Sequence, residues 1–346
     1  MGRCHHVYWW RAGRSRPVRD LPLNFRDNTH IEGIEAVLDQ LTDEQVERRL
    51  SEALANRSSV PAEKLIAGLL RTFNLTADGE DEFVFPALNS SARERIFGGQ
   101  VIAQAIVAAD HTVDAEKNIH SLHSYFLRAG DETKPLHFRV HRDFDGRSIS
   151  NRRVVVRQNE KVIFNLTASF QKPADGLQHQ ISMPDVMPPD QCMSAMEQIA
   201  RNPQVSDKHI ERMSMPRPFD VRSFRPEGKS ADARQYQWFK TIAPLPDDPL
   251  IHRATLAFAS DMGLLSTSMI PHGLHWTTPG LFSTSLDHAM WFHDDFRMDQ
   301  WICYVMDSDW TGHTRGLNRG ALYTQDGKLV ASAVQEGLIR LTPQES

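Results

Sequence analysis

A single carboxylate interrupts an apolar helical pattern in the second half of the chain. Apolar residues recur at steps of three and four between 249 and 266, which predicts a helix with one buried face. The apolar stripe consists of Leu250, Ala254, Ala257, Phe258, Leu264 and Leu265. Asp261 falls within it, and a buried carboxylate is costly unless it is paired or hydrogen-bonded. Asp261 is therefore a candidate general base, although a structural Asp that accepts backbone N–H groups explains the pattern equally well.

A glutamine interrupts a second apolar face near the end of the chain. Residues 328–341 alternate as a strand does, so every second residue shares a face with Gln335. The other members of that face are Leu329, Ala331, Ala333, Gly337, Ile339 and Leu341. A neutral amide there needs hydrogen-bond partners, and a structural bridge is the commoner explanation for such a residue on its own. An internal repeat, described below, places Ala168 at the matching position, so the fold itself does not require the amide.

Two further residues are candidates with less support from pattern. Ser285 lies in a predicted strand, 283–292, and alternation puts it on the face of Ser283, Asp287 and Ala289. Serines are common on strand surfaces, so this position alone says little. Asp110 ends the first apolar helix as Asp261 ends the second, which makes it a rival carboxylate.

The sequence lacks the motifs of several other classes of enzyme. The chain has no G-x-S-x-G nucleophile elbow, no Walker loop and no G-x-G-x-x-G. The pairs His120/His123 and His288/His293 are separated by odd numbers of residues along predicted strands. Each pair should therefore point to opposite faces of a sheet and cannot chelate one ion. We predict no metal and no cofactor.

The elements that must position these residues occur twice. The first half has predicted strands, one apolar helix and further strands, in the order 71–76, 82–86, 101–110 (helix), 119–127, 135–143, 150–158 and 161–171. The second half repeats this order as 218–225, 234–243, 249–266 (helix), 283–292, 300–308, 314–325 and 328–341. The segments 158–163 and 325–330 match at a constant offset, which supports a true repeat. One antiparallel sheet wrapped on one apolar helix, twice, predicts an α+β fold.

The repeat divides the chain into four parts. We predict an N-terminal extension at 1–64, a first repeat at 65–171, a linker at 172–216 and a second repeat at 217–342. Residues 1 to about 30 lack a period and are expected to be poorly ordered. Thr42 and Gln45 have capping-box spacing, so a helix follows them. We interpret the segment as an incidental extension, with a docking helix as the alternative.

Several longer motifs resemble the acyl-CoA thioesterase II family over about residues 65–342. In the first half they are Phe97-Gly98-Gly99-Gln100-Val101, His123-Ser124-Tyr125-Phe126-Leu127-Arg128 and Leu166-Thr167-Ala168-Ser169-Phe170-Gln171. In the second half they are Ala259-Ser260-Asp261, Leu286-Asp287-His288-Ala289-Met290-Trp291-Phe292-His293, Tyr323-Thr324-Gln325-Asp326-Gly327 and Val334-Gln335-Glu336-Gly337. The resemblance implies a double hot-dog enzyme that hydrolyses fatty acyl-CoA and commonly forms homo-oligomers through its sheets. The family's catalytic carboxylate, hydroxyl and glutamine correspond to Asp261, Ser285 and Gln335.

The resemblance also implies a mechanism, in which water attacks the thioester directly. Asp261 would accept a proton from water that Ser285 and Gln335 orient, and a helix N-terminus would stabilise the oxyanion. The Gly98-Gly99 pair would allow close approach at the first helix. Arginines close in sequence are candidates for the CoA phosphates, namely Arg128, Arg147, Arg152 and Arg153.

Two alternatives remain open from the residues. Asp247 and His252 have the spacing of the Asp and His in enoyl-CoA hydratases of the same fold, but Pro246 replaces the expected Gly and Pro249 is displaced by one. A helix that begins with an Asp248 N-cap and Pro249 explains the same residues. The other alternative is a protein that binds acyl-CoA without catalysis.

The composition of the chain bears on its ligands and on its location in the cell. A net charge of -5 and a pI of about 6.3 give no broad basic field for nucleic acid, and no apolar run is long enough to span a membrane. The three cysteines, Cys4, Cys192 and Cys303, form neither a disulfide framework nor a zinc motif, which favours a reducing compartment. The basic N-terminus lacks a secretory core, and the C-terminus is not Ser-Lys-Leu. We therefore expect a cytoplasmic location.

Overall fold

The computed structural model describes residues 41–87, 95–202, 205–224 and 233–342. Its helices are α1 (Asp43–Arg57), α2 (Ala62–Phe73), α3 (Gly98–Asp110), α4 (Ala195–Arg201), α5 (Asp207–Met213) and α6 (Pro249–Ser260), and a 3₁₀ helix spans Leu264–His272. The strands of the first half are β1 (Thr76–Ala77), β2 (Glu82–Phe85), β3 (Asn118–Phe126), β4 (Leu136–Asp145), β5 (Ile149–Gln158) and β6 (Lys161–Gln171). The strands after the first half are β7 (Met193–Ser194), β8 (Phe219–Phe224), β9 (Arg234–Thr241), β10 (Leu281–Ser285), β11 (Asp287–Phe292), β12 (Ile302–Gly312), β13 (Arg315–Thr324) and β14 (Leu329–Leu341).

The strands form one antiparallel sheet whose order shows the repeat. The order is β1-β2-β4-β5-β6-β3-β11-β14-β13-β12-β9-β8-β7, and β10 pairs with β14 off this path. Reading outwards from the central pair β3–β11, the first half runs β3-β6-β5-β4-β2 and the second runs β11-β14-β13-β12-β9. The two halves therefore have the same internal order, as the sequence repeat predicts, and the α+β class is confirmed.

The two central helices, α3 and α6, lie antiparallel and in close contact inside the sheet. A Cβ built on Gly99, at the start of α3, would lie 2.3 Å from the carbonyl oxygen of Phe258, near the end of α6. Only glycine permits this approach of two backbones. Ile102 and Leu256 are fully buried and belong to one apolar core that includes residues of both repeats. The N-terminus of α3 is thereby held against the C-terminus of α6.

The helix α6 and the strand after it differ from their predicted extents. The predicted helix 249–266 ends at Ser260, and Asp261 is its C-cap. Gly263 follows with a φ of 87°, a left-handed conformation that ends a helix. The predicted strand 283–292 is two strands, β10 and β11, because Leu286 leaves the regular ladder between them. At its start, α6 has the predicted cap, since the Asp248 side chain accepts from Leu250 N and Pro249 is the first helical residue.

The first predicted strand of the fold is wrong. Residues 71–73 belong to the end of α2, whose buried residues Ile66, Leu69 and Phe73 follow a helical spacing of three and four. The strand β1 is limited to Thr76–Ala77, which pairs with β2.

The segment before the first repeat contains the predicted capped helix. Thr42 and Gln45 form a reciprocal capping box at the start of α1. This helix packs on α4 and α5, where Ala53 shares a small apolar cluster with Met196 and Ile210. The expected disorder of residues 1–30 lies outside the described residues. The four-part division of the chain stays a prediction. In the ranges that the structure describes, no helix is long and apolar enough to cross a membrane.

Candidate active site

Asp261 lies where the two central helices meet. Its carboxylate oxygen Oδ2 accepts a hydrogen bond from Gly99 N at 2.9 Å. Gly99 is in the first turn of α3, where backbone N–H groups have no partner within the helix and the helix dipole favours an anion. A Cβ on the preceding Gly98 would lie 2.7 Å from the same Oδ2, so both glycines are needed for the approach. The first repeat thus supplies a donor to the carboxylate of the second.

Gln335 and Ser285 contact the other oxygen of the same carboxylate. Gln335 Nε2 donates to Asp261 Oδ1 at 2.7 Å, and Ser285 Oγ donates to it at 3.4 Å. Gln335 lies on the buried face of β14, as alternation predicts. The three candidates Asp261, Ser285 and Gln335 therefore come together in space from three separate elements.

The predicted face of Ser285 is wrong. Ser285 does not share a face with Asp287, because Leu286 interrupts the alternation between β10 and β11. The Asp287 carboxylate accepts from Glu336 N at 2.6 Å, which replaces a ladder bond at this break. As a result Ser285 and the fully buried His288, three residues apart, both point towards α6.

The environment of Asp261 makes its carboxyl group weakly acidic. Burial raises the pKa of Asp261 to about 6, and the hydrogen bonds from Gln335, Gly99 and Ser285 oppose this rise. As a whole residue Asp261 is only partly buried. A carboxylate with a pKa near neutrality is well matched to act as a general base.

A buried histidine extends the site beyond the residues found from the sequence. His288 Nδ1 lies 3.1 Å from Gln335 Nε2, and His288 Nε2 lies 2.9 Å from Ser260 Oγ. Tyr304 OH donates to the carbonyl oxygen of Ser260 at 3.1 Å. The sequence pattern presents His288 only as a possible metal ligand paired with His293, and not as a neighbour of Gln335. Its place opposite Gln335 depends on the break at Leu286, which no residue type in the sequence marks.

Asp110 occupies the equivalent helix end but has different surroundings. Burial, followed by the negative charge of Asp248, raises the pKa of Asp110 to about 6, and Arg253 opposes this rise. None of the described residues donates a hydrogen bond to its carboxylate. The helix α6 begins nearby with Pro249, which has no N–H group. The N–H of Leu250 already donates to the Asp248 side chain. The pKa is raised for both carboxyl groups and therefore does not distinguish Asp110 from Asp261. The hydrogen-bond donors around Asp261 do distinguish them.

The residues of the hydratase alternative are engaged elsewhere. Asp247 is largely exposed and pairs with Arg297 Nη1 at 2.6 Å. His252 is buried, and its Nδ1 accepts from Met298 N at 3.1 Å. Asp247 and His252 therefore connect the start of α6 to Arg297 and Met298, and they do not form an acid–base pair.

The arginines proposed for the CoA phosphates differ in exposure and in the partners of their side chains. Arg152 is only 1% exposed and donates to Thr112 and Asp145, so it cannot reach a ligand. Arg153 is exposed but is paired with Asp143. Arg128 is exposed, and it lies two residues before Gly130, whose carbonyl accepts from Ile96 N just ahead of α3. As for metals, the described part of the chain contains no group of three or more His, Cys, Asp or Glu that could hold an ion.

Comparison with known proteins identifies the family. A family model for acyl-CoA thioesterase matches residues 206–338, and a model for an acyl-CoA thioesterase N-terminal domain matches residues 86–171. The chain is 38% identical over 266 residues to human acyl-coenzyme A thioesterase 8, covering 73% of this chain and 83% of that protein.

Solved structures show the same fold. The acyl-CoA thioesterase II TesB2 of Mycobacterium marinum is 36% identical, with a TM-score of 0.67 over 80% of this chain and all of that one. A hot-dog protein of unknown function from Alicyclobacillus acidocaldarius is 19% identical, with a TM-score of 0.64 over 80% of this chain and 99% of that one. The predicted double hot-dog fold is confirmed, and this chain belongs to the acyl-CoA thioesterase family, whose members hydrolyse the thioester bond of acyl-CoA.

Proposed function

We propose that this thioesterase hydrolyses fatty acyl-CoA by direct attack of a water molecule that Asp261, Ser285 and Gln335 hold. The observation that carries the proposal is the convergence of Gln335, Ser285 and Gly99 on the single carboxylate of Asp261. Three donors keep this carboxylate fixed and ionised near neutral pH in a place where burial alone would favour its acid form. A fixed, partly accessible base at the junction of two repeats is what activation of water requires.

The bond changes follow from this geometry. Asp261 takes one proton from water as the water oxygen bonds to the thioester carbon, which gives a tetrahedral intermediate. Collapse of the intermediate breaks the C–S bond, and the CoA sulfur takes the proton that Asp261 holds. The products are the free acid and the thiol of CoA, and no covalent acyl-enzyme forms. Since Gln335 and Ser285 bind the carboxylate, both are placed to orient the water that it deprotonates.

The N-terminus of α3 is the proposed site of oxyanion stabilisation. The Gly99 N–H already donates to Asp261, so the first-turn donor proposed for the thioester oxygen is the N–H of Gly98, at the positive end of the helix dipole. Developing negative charge on that oxygen would be stabilised by this donor and by the dipole beside Asp261. The equivalent start of α6 cannot do the same, because it has Pro249 and a side-chain cap from Asp248.

Arg128 is the proposed contact for the CoA phosphates. It is exposed, and its Nη1 donates to the carbonyl oxygen of Val162. Gly130, two residues further on, accepts from the N–H of Ile96, two residues before α3. An arginine at this end of the sheet would bind phosphate by paired, charge-assisted hydrogen bonds. Replacing Arg128 by Ala should raise KM for acyl-CoA and leave kcat little changed.

The function is tested by thiol release from acyl-CoA of several chain lengths, measured with a thiol reagent. Hydration of an enoyl-CoA is measured in parallel. We expect release of CoA and no hydration, with both carboxylic acid and thiol formed in equal amounts. Binding of acyl-CoA without thiol release would contradict hydrolysis, and hydration of the enoyl substrate would favour the alternative chemistry.

We also propose that the protein functions in a reducing compartment such as the cytoplasm. Cys192 and Cys303 are both free thiols and both buried. Free buried thiols persist where glutathione and thioredoxin keep cysteines reduced. Fractionation of the cells that express the protein would test this location.

A homo-oligomer formed through the sheet is a further proposal. Tyr125 is 57% exposed on β3, which belongs to the central strand pair of the sheet. A large aromatic side chain exposed in the middle of a sheet suits an interface between copies. Light scattering should give a mass of at least twice 39.4 kDa, and a mass equal to that of one chain would contradict the proposal.

A further inference from the structure

His288 is a fully buried titratable residue that the proposed water-activation step does not use directly. It lies on β11, between Ser260 at the end of α6 and Gln335 on β14. A buried imidazole with both ring nitrogens in hydrogen bonds is held in one orientation, and its partners fix which nitrogen carries the proton.

The hydroxyl of Ser260 settles the tautomer of His288. Ser260 Oγ donates its hydrogen to the carbonyl oxygen of Ala257 at 2.9 Å. Towards His288 it can therefore only accept, so His288 Nε2 carries the proton and donates to Ser260 Oγ. The lone pair of the imidazole is then on Nδ1, which accepts from Gln335 Nε2 at 3.1 Å.

This acceptor fixes the direction of the Gln335 amide. The two hydrogens of Gln335 Nε2 are both used, one towards His288 Nδ1 and one towards Asp261 Oδ1. If the amide were reversed, its carbonyl oxygen would face two acceptors, the ionised Asp261 and the lone pair of His288. The carbonyl oxygen Oε1 of Gln335 is buried and has no hydrogen-bond partner among the described residues. It therefore lacks a protein donor, and in the proposed mechanism the nucleophilic water supplies one.

We propose that His288 is a positioning residue for thioester hydrolysis, which holds the Gln335 amide with its NH₂ group towards Asp261 and its carbonyl oxygen free for water. The inference rests on the proposed roles of Asp261 and Gln335. Ser260 anchors the imidazole, and Tyr304 in turn holds the Ser260 backbone. The chain of hydrogen bonds runs from α6 through β11 to β14 and returns to the C-cap of α6.

Burial keeps His288 in the neutral form that this role requires. Loss of solvation lowers the pKa of His288 to about 4. The titratable groups that face it through these hydrogen bonds are Asp261, by way of Gln335, and Tyr304, by way of Ser260. Burial raises the pKa of Tyr304 well above its usual value, so the phenol stays neutral. Neither neighbour therefore protonates the imidazole near neutral pH.

The experiment compares two substitutions that differ in one acceptor. His288→Leu removes both ring nitrogens, whereas His288→Asn places an amide oxygen near the position of Nδ1. We expect His288→Leu to lower kcat roughly 10- to 100-fold through a misdirected Gln335, with KM for acyl-CoA little changed. His288→Asn should recover most of kcat. In a Gln335→Ala background, His288→Leu should lower kcat little further, because it acts through Gln335.

Three results would overturn the inference. They are a wild-type kcat in His288→Leu, equal losses in the Leu and Asn variants, and an undiminished loss in the Gln335→Ala background. An undiminished loss of kcat in the Gln335→Ala background would show that His288→Leu acts through packing and not through Gln335. If His288→Leu does not fold, Ser260→Ala removes the anchor alone, and it should lower kcat only when Gln335 is present. A wild-type kcat in Gln335→Ala would overturn the proposed site together with this inference.

Discussion

The amide of Gly99 donates to the carboxylate of Asp261 across 162 positions of sequence, from the first repeat to the second. The candidate site is therefore shared between the repeats: one gives the helix N-terminus, and the other gives the base with its glutamine and serine. Neither repeat alone contains the full set of contacts. The antiparallel packing of α3 and α6 makes this sharing possible, since it brings the beginning of one helix to the end of the other.

Replacing the base gives the first prediction. Asp261→Asn keeps the shape of the side chain and removes its ability to take a proton, so kcat should fall by roughly 100- to 10,000-fold. The measurement is thiol release, with circular dichroism to show that the fold is kept. Asp110→Asn is the matched control, since Asp110 also ends a central helix but none of the described side chains donates to it. A folded, active Asp261→Asn beside an inactive Asp110→Asn would place the site in the other half.

The pH dependence of turnover gives the second prediction. Asp261 must be ionised to act as a base, and burial raises its pKa to about 6. The value of kcat/KM should therefore rise with pH through about 6 and level off above it. The Gln335 hydrogen bond lowers this pKa, so the midpoint in Gln335→Ala should move to higher pH. A midpoint that stays in place in that variant would show that another group controls the profile.

The partners of Asp261 give the third prediction. Gln335 donates at 2.7 Å and Ser285 at 3.4 Å, so Gln335→Ala should lower kcat more than Ser285→Ala does. Either change made together with Asp261→Asn should lower kcat little further, because the residues act as a unit. Steady-state kinetics of the single and double variants supply the comparison. Fully additive losses would mean that the three residues act independently.

The contact between the central helices gives the fourth prediction. In Gly99→Ala the new methyl group would lie 2.3 Å from the carbonyl oxygen of Phe258, so the helices must separate. We expect a loss of about 1–3 kcal/mol or more in the free energy of unfolding, as in other overpacked cores. Gly68→Ala is the control, because its methyl group would meet nothing nearer than 3.9 Å. That variant, in the middle of α2, should gain about 0.5–1 kcal/mol. Urea denaturation measures both, and equal effects would contradict the argument.

The N-terminal segment gives the fifth prediction. Deleting residues 1–57 removes α1, with Ala53 from the small cluster and the Arg49–Asp207 ion pair at 2.9 Å. The melting temperature should fall while kcat is largely kept, because α1 packs on α4 and α5 and its hydrogen bonds to Ser214 and to the Phe219 carbonyl do not involve Asp261, Ser285 or Gln335. A deletion of 1–41 keeps α1 and is the control. Loss of most turnover in the longer deletion would show that α1 supports the site.

The sequence predicted the repeat, the capped starts of α1 and α6 and the buried position of Gln335, for identifiable reasons. Strict alternation along β14 identified Gln335 as buried, and Asp248-Pro249 marked the start of α6. What it did not predict depends on tertiary contacts. The break at Leu286 turns Ser285 and His288 to the same side, yet no glycine or proline marks it. Alternation places Arg152 on the buried face of β5 with Val154 and Val156, but its partners Thr112 and Asp145 come from other elements and could not be predicted.

The start of α6 shows how two joined repeats differ from two identical subunits. In a dimer of one repeat, both ends of the central helix pair would have the same residues, and any change would affect both. Here Gly98 and Gly99 let the carboxylate of Asp261 approach one end, whereas Asp248 and Pro249 cap the other. Under the proposed mechanism only the first end takes part in hydrolysis. Substitutions at the second end would then be constrained by packing and stability alone, which two identical subunits do not allow.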